Sequence, residues 1–344
     1  MVKKKVFITG VGGLLGSTLA RRLLVKGTYN VAGCDTFVGG IQSNVPDIPF
    51  YEIDILDTNN LKDAMRDVDV VFHTAALPYE GLSVFSPAVV AQNIVGGTVS
   101  VASAALHNNV NLFINCSSMA RYGAQNPPFT EDLPTAPEDP YGLAKVQAEE
   151  HLELLNKLHG LNYVTLVPHN VIGIGQRYYD PFRNVVAIMI NRCLSGKSII
   201  VYGDGEQKRS FSNVRDWIRA VEAIIESDRD ICGQVYNIGP HDNEKSIKEL
   251  AFKVGHHCSI YPNIEHFPDR PAEVKNAFCS SDKIMKEFNY NTEITTDKTI
   301  QEMVAWIKRE AGEKGKPFEY HLDLEFTRDY TPKTWTEKLI WALK

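Results

Sequence analysis

Val6-Phe7-Ile8-Thr9-Gly10-Val11-Gly12-Gly13-Leu14-Leu15-Gly16 decides the fold. A short apolar run of strand type enters a glycine turn, and the amphipathic pattern Leu14–Val25 leaves it as a helix. Gly10 permits the tight turn, Gly13 lets the backbone approach a phosphate, and Gly16 lets the helix pack closely on the strand. The helix N-terminus then offers free N–H groups and a partial positive charge to a pyrophosphate, with Leu14 and Leu15 in its first turn. A glycine triplet alone is a weak signal. Here it follows a strand, opens a helix, and is joined by an acid, Asp35, at the end of the next strand, 19 residues after Gly16.

Outward from this turn, the first half alternates β-branched runs with helical patterns. Val6–Thr9, Asn30–Cys34, Val68–His73, Val110–Ser117 and Asn162–Val167 read as buried strands, and Leu14–Val25, Leu61–Arg66, Pro87–His107 and Tyr141–Leu158 as helices. Such alternation predicts an α/β fold, a Rossmann doubly wound parallel sheet with helices on both faces. After about residue 170 the loops lengthen and the elements lose regularity. The expected organisation is a dinucleotide-binding domain over 1–170, a smaller mixed α/β substrate-binding domain over 171–312 with some segments returning to the first core, and an extension over 313–344. Helix Asp297–Arg309 closes the second domain, with Asp297 as its N-cap. In the extension, Trp335, Ile340 and Trp341 suggest docking on the body or on a partner.

A carboxylate at Asp35 accepts hydrogen bonds from ribose hydroxyls and repels a 2′-phosphate. No Arg or Lys stands beside it in Cys34-Asp35-Thr36-Phe37, so NAD is favoured over NADP. Asp54, in Tyr51-Glu52-Ile53-Asp54-Ile55, is placed to bond the adenine amino group. Phe72-His73-Thr74-Ala75-Ala76 supplies small residues where a strand end passes under the cofactor, with His73 structural. Tyr141 and Lys145 lie at i, i+4 on one helix face. A nearby ammonium and a positive nicotinamide ring would stabilise a phenolate and make Tyr141 a general base for a sugar hydroxyl. Ser117 and Ser118 close the strand before it, and Ser118 is the one chosen to bond the same substrate oxygen.

Together the glycine turn, Asp54-Ile55, Phe72-His73-Thr74-Ala75-Ala76, Asn93, Ser117-Ser118 and Tyr141-x-x-x-Lys145 resemble the extended short-chain dehydrogenase/reductase family over residues 4–310, and within it the NAD-dependent nucleotide-sugar epimerases and dehydratases. The resemblance implies catalytic roles for Tyr141, Lys145 and Ser118. It implies NAD contacts at Gly10, Gly13, Leu14, Leu15, Gly16, Asp35, Asp54, Ile55, Ala75, Ala76, Asn93, Ser117, Tyr141, Lys145 and Pro168. It also implies substrate contacts at Ser118, Met119, Tyr141, Asn170, Asn184, Arg209 and Arg270, the last two gripping a diphosphate, for which two guanidinium groups are suited. The substrate would be a UDP-sugar, oxidised at C4 to a transient 4-keto intermediate, and the chain a homodimer joined through helices Pro87–His107 and Tyr141–Leu158.

Three fates are open to that intermediate: return of hydride to the other face by an epimerase, loss of water by a 4,6-dehydratase, and loss of a C5 carboxylate by a decarboxylase. Members that dehydrate carry an Asp-Glu pair directly after the catalytic Ser/Thr, whereas Met119-Ala120 follow Ser118 here, which favours epimerisation over 4,6- or 5,6-dehydration. Glu80, in Leu77-Pro78-Tyr79-Glu80-Gly81-Leu82-Ser83, reads first as a solvated loop acid and second as a substitute general acid. A 4-keto-sugar reductase would use the same Tyr–Lys pair but consume NADPH, against Asp35. A non-catalytic NAD sensor would not need Tyr141, Lys145 and Ser118. The chain departs from the family pattern at Val167, Arg121 and Ser210. Arg121 is read either as support for an anionic sugar or as a bridge between elements.

Composition sets the frame for these readings. With 344 residues and 44% apolar content the chain can bury a large core. A net charge of −6 argues against nucleic acid as a partner. Lys3-Lys4-Lys5 is followed by too short an apolar run for a signal peptide, and no apolar run approaches a membrane span, so no membrane role and a cytoplasmic location are expected. Six cysteines lack C-x-x-C or zinc spacing, so neither a disulfide framework nor a metal site is expected.

Overall fold

The computed structural model describes residues 3–240 and 244–338. Seven strands form one sheet: β1 Lys4–Thr9, β2 Tyr29–Cys34, β3 Phe50–Tyr51, β4 Val70–His73, β5 Leu112–Cys116, β6 Tyr163–Pro168 and β7 Val235–Ile238. Their spatial order is β7-β6-β5-β4-β1-β2-β3 and every pairing is parallel, with Val6 opposite Val31 on one side and Val70 on the other. Strand order reverses at β1, which opens a crevice beyond the carboxyl ends of β1 and β4.

Alternate residues of each strand feed different layers. Val6 and Ile8 pack with Leu19, Leu23, Trp217 and Ile224 on one face of the sheet. Phe7 packs with Cys34, Leu61, Val101, Phe113 and Leu152 on the other. Both faces are therefore dry, which is why the strands read as nearly continuous apolar runs.

Element ends shift where local capping outweighs apolar pattern. The helix read as Leu61–Arg66 runs over Thr58–Ala64 because the Asp57 carboxylate accepts from Asn60 N at 3.1 Å. The closing helix is Thr296–Ala311, and its cap is Thr295, which accepts from Lys298 N. Asp297 is instead one residue inside the first turn, and its carboxylate pairs with Lys253 and His257, correcting its assignment as the cap. Pro87–His107 is one helical run interrupted by a π-turn at Gln92–Gly96. With 21 residues it is, among the described residues, long and apolar enough to match a membrane span, which corrects the reading that no such run exists. Half of its most apolar window is buried inside the protein.

The second half forms its own apolar cluster, where helices Val185–Leu194, Ile247–His257 and Thr296–Ala311 meet through Met189, Ile190, Leu250, Val254, Met303 and Ile307. Short strands surround it: Ile199–Tyr202 with Ile264–Phe267, and Lys208–Ser210 between Glu244–Ser246 and Asn276–Ala277. The chain also returns to the first half. Helix Val214–Glu226 lies on helix Leu14–Lys26, where Arg22 and Lys26 meet Glu222 at 2.9 and 3.0 Å, and the next strand is β7 at the edge of the large sheet.

Past Ala311 the chain turns back across the molecule as a strap. Asn191 exchanges bonds with both backbone groups of Lys316, and Glu319 N donates to Tyr179 O. The strap then bonds the loop after β4. Glu325 N and Phe326 N reach Phe85 O, Ser86 Oγ donates to Asp323 O, and Trp335 buries itself against Phe85 and Phe182. Trp335 thus docks on the body. Ile340 and Trp341 lie outside the described residues.

Candidate active site

The crevice beyond β1 and β4 widens into a cleft of about 640 Å³ that runs from the glycine turn to the second half. Its cofactor end is built by backbone. Gly10 has φ +72°, and a Cβ there would sit 2.8 Å from Ala75 N. A Cβ on Gly16 would strike the Gly10 carbonyl, so the helix can approach the strand only as glycine. Gly13 occupies the N-cap without a side-chain bond to offer, and the first turn holds no acid. The opening amides, among them those of Leu14 and Leu15, are left to an anion. A dinucleotide pyrophosphate fits that cradle.

The Asp35 carboxylate accepts from Gly12 N at 2.8 Å and Phe37 N at 2.7 Å, fixing it at the rim. Burial raises its pKa above the ordinary carboxylate value, against the pull of those amides and of Arg183. That arginine is absent from the sequence around Asp35. It comes from the second half, with Nε 3.0 Å from Asp180 and a terminal nitrogen donating to Gly39 O. Asp54, Ile55, Ala75, Ala76, Asn93 and Pro168 all line the cleft. Asp54 accepts from Leu56 N at 2.9 Å, and Asn93 accepts from Leu77 N at 2.8 Å from inside the π-turn. His73 lies behind them, between Thr9 at 2.8 Å and Thr98 at 3.1 Å. Burial lowers its pKa to about 3, which keeps it a neutral tie between β1, β4 and the long helix.

At the middle of the cleft Tyr141 opens helix Pro140–His159, capped by the Asp139 carboxylate on Gly142 N at 2.9 Å. Its hydroxyl neighbours Ser118, which lies two residues past β5 and caps the short turn Met119–Tyr122. Lys145 is buried one turn on. Its Nζ donates to Cys116 O at 2.7 Å and lies 5.8 Å from the centre of the Tyr141 ring. Burial lowers the Lys145 pKa to about 8. The Tyr141 phenol is pushed up, first by burial and then by the Glu80 and Asp139 carboxylates, against the pull of Ser118. In the protein alone Tyr141 is therefore a phenol, and lowering its pKa falls to positive charge arriving with a cofactor.

Ser117 differs from the expectation. It is buried, and its hydroxyl turns to Glu149, so its side chain is not offered to a cofactor. The reason is the strand pleat: adjacent residues face opposite sides, and Ser118 takes the cleft side. Arg121 follows Ser117 inward. Its guanidinium pairs with Glu149 at 2.9 Å and stacks on Tyr122, so it bridges elements and touches no part of the cleft.

The far end belongs to the second half. Met119, Asn170, Asn184, Arg209 and Arg270 line it. Asn170 donates to Ser210 O at 3.0 Å, and Asn184 caps its helix by accepting from Val186 N. Arg209 and Arg270 converge on one acid, Glu273. Arg209 reaches it at 3.0 Å, and Arg270 also lies over the Tyr202 ring at 5.0 Å. Glu273 holds two cations side by side at the mouth, a role its place in Arg270-Pro271-Ala272-Glu273 did not announce. The strap adds Leu322 and Trp335 to the wall.

Residues 6–239 match the NAD dependent epimerase/dehydratase family. The chain belongs to that family. Family members similar to it include a UDP-N-acetyl-alpha-D-glucosaminuronate decarboxylase of Bacillus cytotoxicus, 31% identical, with 89% of this chain and 98% of the relative covered. A UDP-glucose 4-epimerase of Mycolicibacterium smegmatis is 28% identical over 89% of this chain and 99% of its own. Among solved members, a UDP-glucuronic acid 4-epimerase of Bacillus cereus, in complex with UDP-glucuronic acid and NAD, superposes with a TM-score of 0.83 at 28% identity, covering 89% of this chain and 99% of that one. Relatives named dTDP-glucose 4,6-dehydratase occur as well. This family member is an NAD-dependent enzyme of the epimerase/dehydratase type.

Proposed function

We infer that the protein epimerises a nucleotide-diphosphate sugar, a UDP-sugar, at C4. The carrying observation is that Tyr141 and Ser118 share one cleft with an open helix N-terminus and the paired guanidinium groups of Arg209 and Arg270. In this reading the amides near Gly10, Gly13, Leu14 and Leu15 hold the NAD pyrophosphate. Asp35 holds the ribose, Asp54 and Ile55 the adenine, and Ala75, Ala76, Asn93 and Pro168 the nicotinamide end. Bound NAD supplies reversible hydride exchange with the sugar carbon. Tyr141 takes the proton of the C4 hydroxyl and returns it, Ser118 keeps that oxygen in register, and Lys145 fixes the helix face and adds positive charge behind the ring. Arg209 and Arg270 grip the diphosphate, with Asn170, Asn184 and Met119 bordering the nucleotide and sugar.

The 4,6-dehydratase reading is second. Met119 and Ala120 follow Ser118, so no acid adjoins it to expel the 6-hydroxyl. Residues 1–170 supply the cofactor half and 171–312 most of the substrate half. Leu143, Leu154 and Leu158 are exposed at 48, 51 and 65% along helix Pro140–His159, which supports a homodimer through this helix and Pro87–His107. Six free thiols suit a reducing, cytoplasmic setting. The test is incubation with UDP-glucose, UDP-N-acetylglucosamine and UDP-glucuronic acid without added reductant, read by NMR. A C4 epimer is expected. A stable 4-keto-6-deoxy product, or turnover only with NADPH, overturns the assignment.

A further inference from the structure

One acid in the cleft is used by none of these roles. Glu80 begins the helical turn Glu80–Ser83, which the loop after β4 carries into the cleft wall. This turn is joined directly to the catalytic helix: Ser83 Oγ donates to Glu80 O at 2.6 Å and accepts from Tyr141 N at 3.1 Å. Behind it the loop is held by the strap through Phe85, Ser86 and the Tyr79–His321 contact at 2.9 Å. The Glu80 carboxyl makes no hydrogen bond and no ion pair among the described residues, although Arg209 and Arg270 are near enough to act on it. It is solvent-accessible, and the surface it presents belongs to the cleft.

We propose that Glu80 is a second acid–base group of the site, exchanging the proton at C5 of the 4-keto sugar. The assignment rests on the C4 reading above, because only a ketone at C4 makes the neighbouring C5–H acidic. The C5–H bond breaks, its proton passes to the Glu80 carboxylate, and its electron pair enters the C4–C5 bond as an enolate with the charge on the C4 oxygen. Ser118 and Tyr141 face that oxygen. Glu80, having exchanged its proton with water, returns one to C5, and no oxidant or reductant is consumed. The charged and titratable groups around Glu80 are Asp139, Glu273, Arg209, Arg270 and Tyr141. Although its side chain still meets solvent within the cleft, the enclosing walls first and Asp139 second raise its pKa to about 7, so carboxylate and acid are both populated near neutrality.

The test is turnover of UDP-glucose, UDP-N-acetylglucosamine and UDP-glucuronic acid in deuterium oxide, with C5 deuterium and C4 epimer quantified in one NMR spectrum. The wild type is expected to incorporate deuterium at C5, and the ratio of C5 label to C4 epimer should rise with pH through about 7. In Glu80→Gln, checked for retained NAD, that ratio should fall at least tenfold, and Glu80→Asp should restore part of it. C4 epimer without C5 label in the wild type overturns the Glu80 assignment alone. So does an undiminished ratio in Glu80→Gln, or a ratio flat with pH should that variant fail to fold. Failure to form any C4 epimer from all three sugars overturns both readings together.

Discussion

Glu325→Ala should loosen the strap without touching the chemistry. Helix Pro87–Ala91 has Ser86 at its N-cap, yet Ser86 offers it no side-chain bond. Glu325 does so from across the sequence, accepting from Ala88 N at 3.1 Å and Val89 N at 2.7 Å. Losing a helix-capping acceptor costs about 1 kcal/mol. Losing the carboxylate near a helix N-terminus costs about 0.3–1 kcal/mol more, and the low end applies because Glu325 is exposed. The sum, about 1.3 kcal/mol, falls on the local opening of the strap, since its backbone bonds to Phe85 remain. That corresponds to an opened population about tenfold larger. Trypsin under native conditions reads it: Arg328 is exposed on the strap, and cleavage follows the open population when closing outpaces cutting. Cleavage about tenfold faster is expected, with Glu325→Gln in between. A rate within twofold of wild type would refute the reasoning, and the cap would then contribute nothing.

Tyr141→Phe should cut C4 epimerisation by about 100-fold or more, while purified protein keeps its NAD, read by NMR turnover and by released-cofactor absorbance. His73 carries a pH signature. Its folded pKa lies near 3 and the unfolded value near 6.5, so the unfolded chain binds the extra proton, and stability falls as pH drops through 6.5. About 1.4 kcal/mol should be lost at pH 5.5 relative to pH 7.5 from this group, visible as a lower urea midpoint and reduced in His73→Asn after allowance for that variant's own cost. Leu154→Glu on the exposed stripe of helix Pro140–His159 should yield a monomer by light scattering with bound NAD unchanged. A dimer of undiminished stability would place the interface elsewhere.

Local spacing carried much of the fold and the cofactor end. The strand–glycine–helix order, the acid after β2 and the i, i+4 Tyr141–Lys145 pair are all short-range patterns, and the backbone places them where such patterns place them. What escaped reading depends on residues distant in sequence. Arg183 reaches the rim near Asp35, Glu273 joins its neighbour Arg270 to Arg209, and Glu325 caps a helix more than two hundred positions earlier; the Gly39–Arg183, Arg209–Glu273 and Val89–Glu325 contacts are ones that no window along the chain can display. Two further discrepancies are matters of a single residue step. Ser117 and Ser118 are equivalent in type but lie on opposite sides of the pleat, and Thr295 outcompetes Asp297 because the cap must precede the first helical turn. Arg121, one of two open readings, resolves as the bridge because Glu149 waits one helix away.

The strap also sets an order of completion. Synthesis runs from the amino end, and the cofactor cradle, β1 to β6 and the Tyr141 helix are finished within roughly the first half of the chain. Leu322 and Trp335 are made after every other described part of the cleft. A growing chain can thus own a complete dinucleotide cradle and its reactive tyrosine while one wall of the substrate chamber does not yet exist. A frameshift or premature stop near residue 315 would therefore leave every residue of the proposed C4 chemistry encoded and still remove that wall. In an alignment confined to the catalytic motifs, such a truncated gene would look intact.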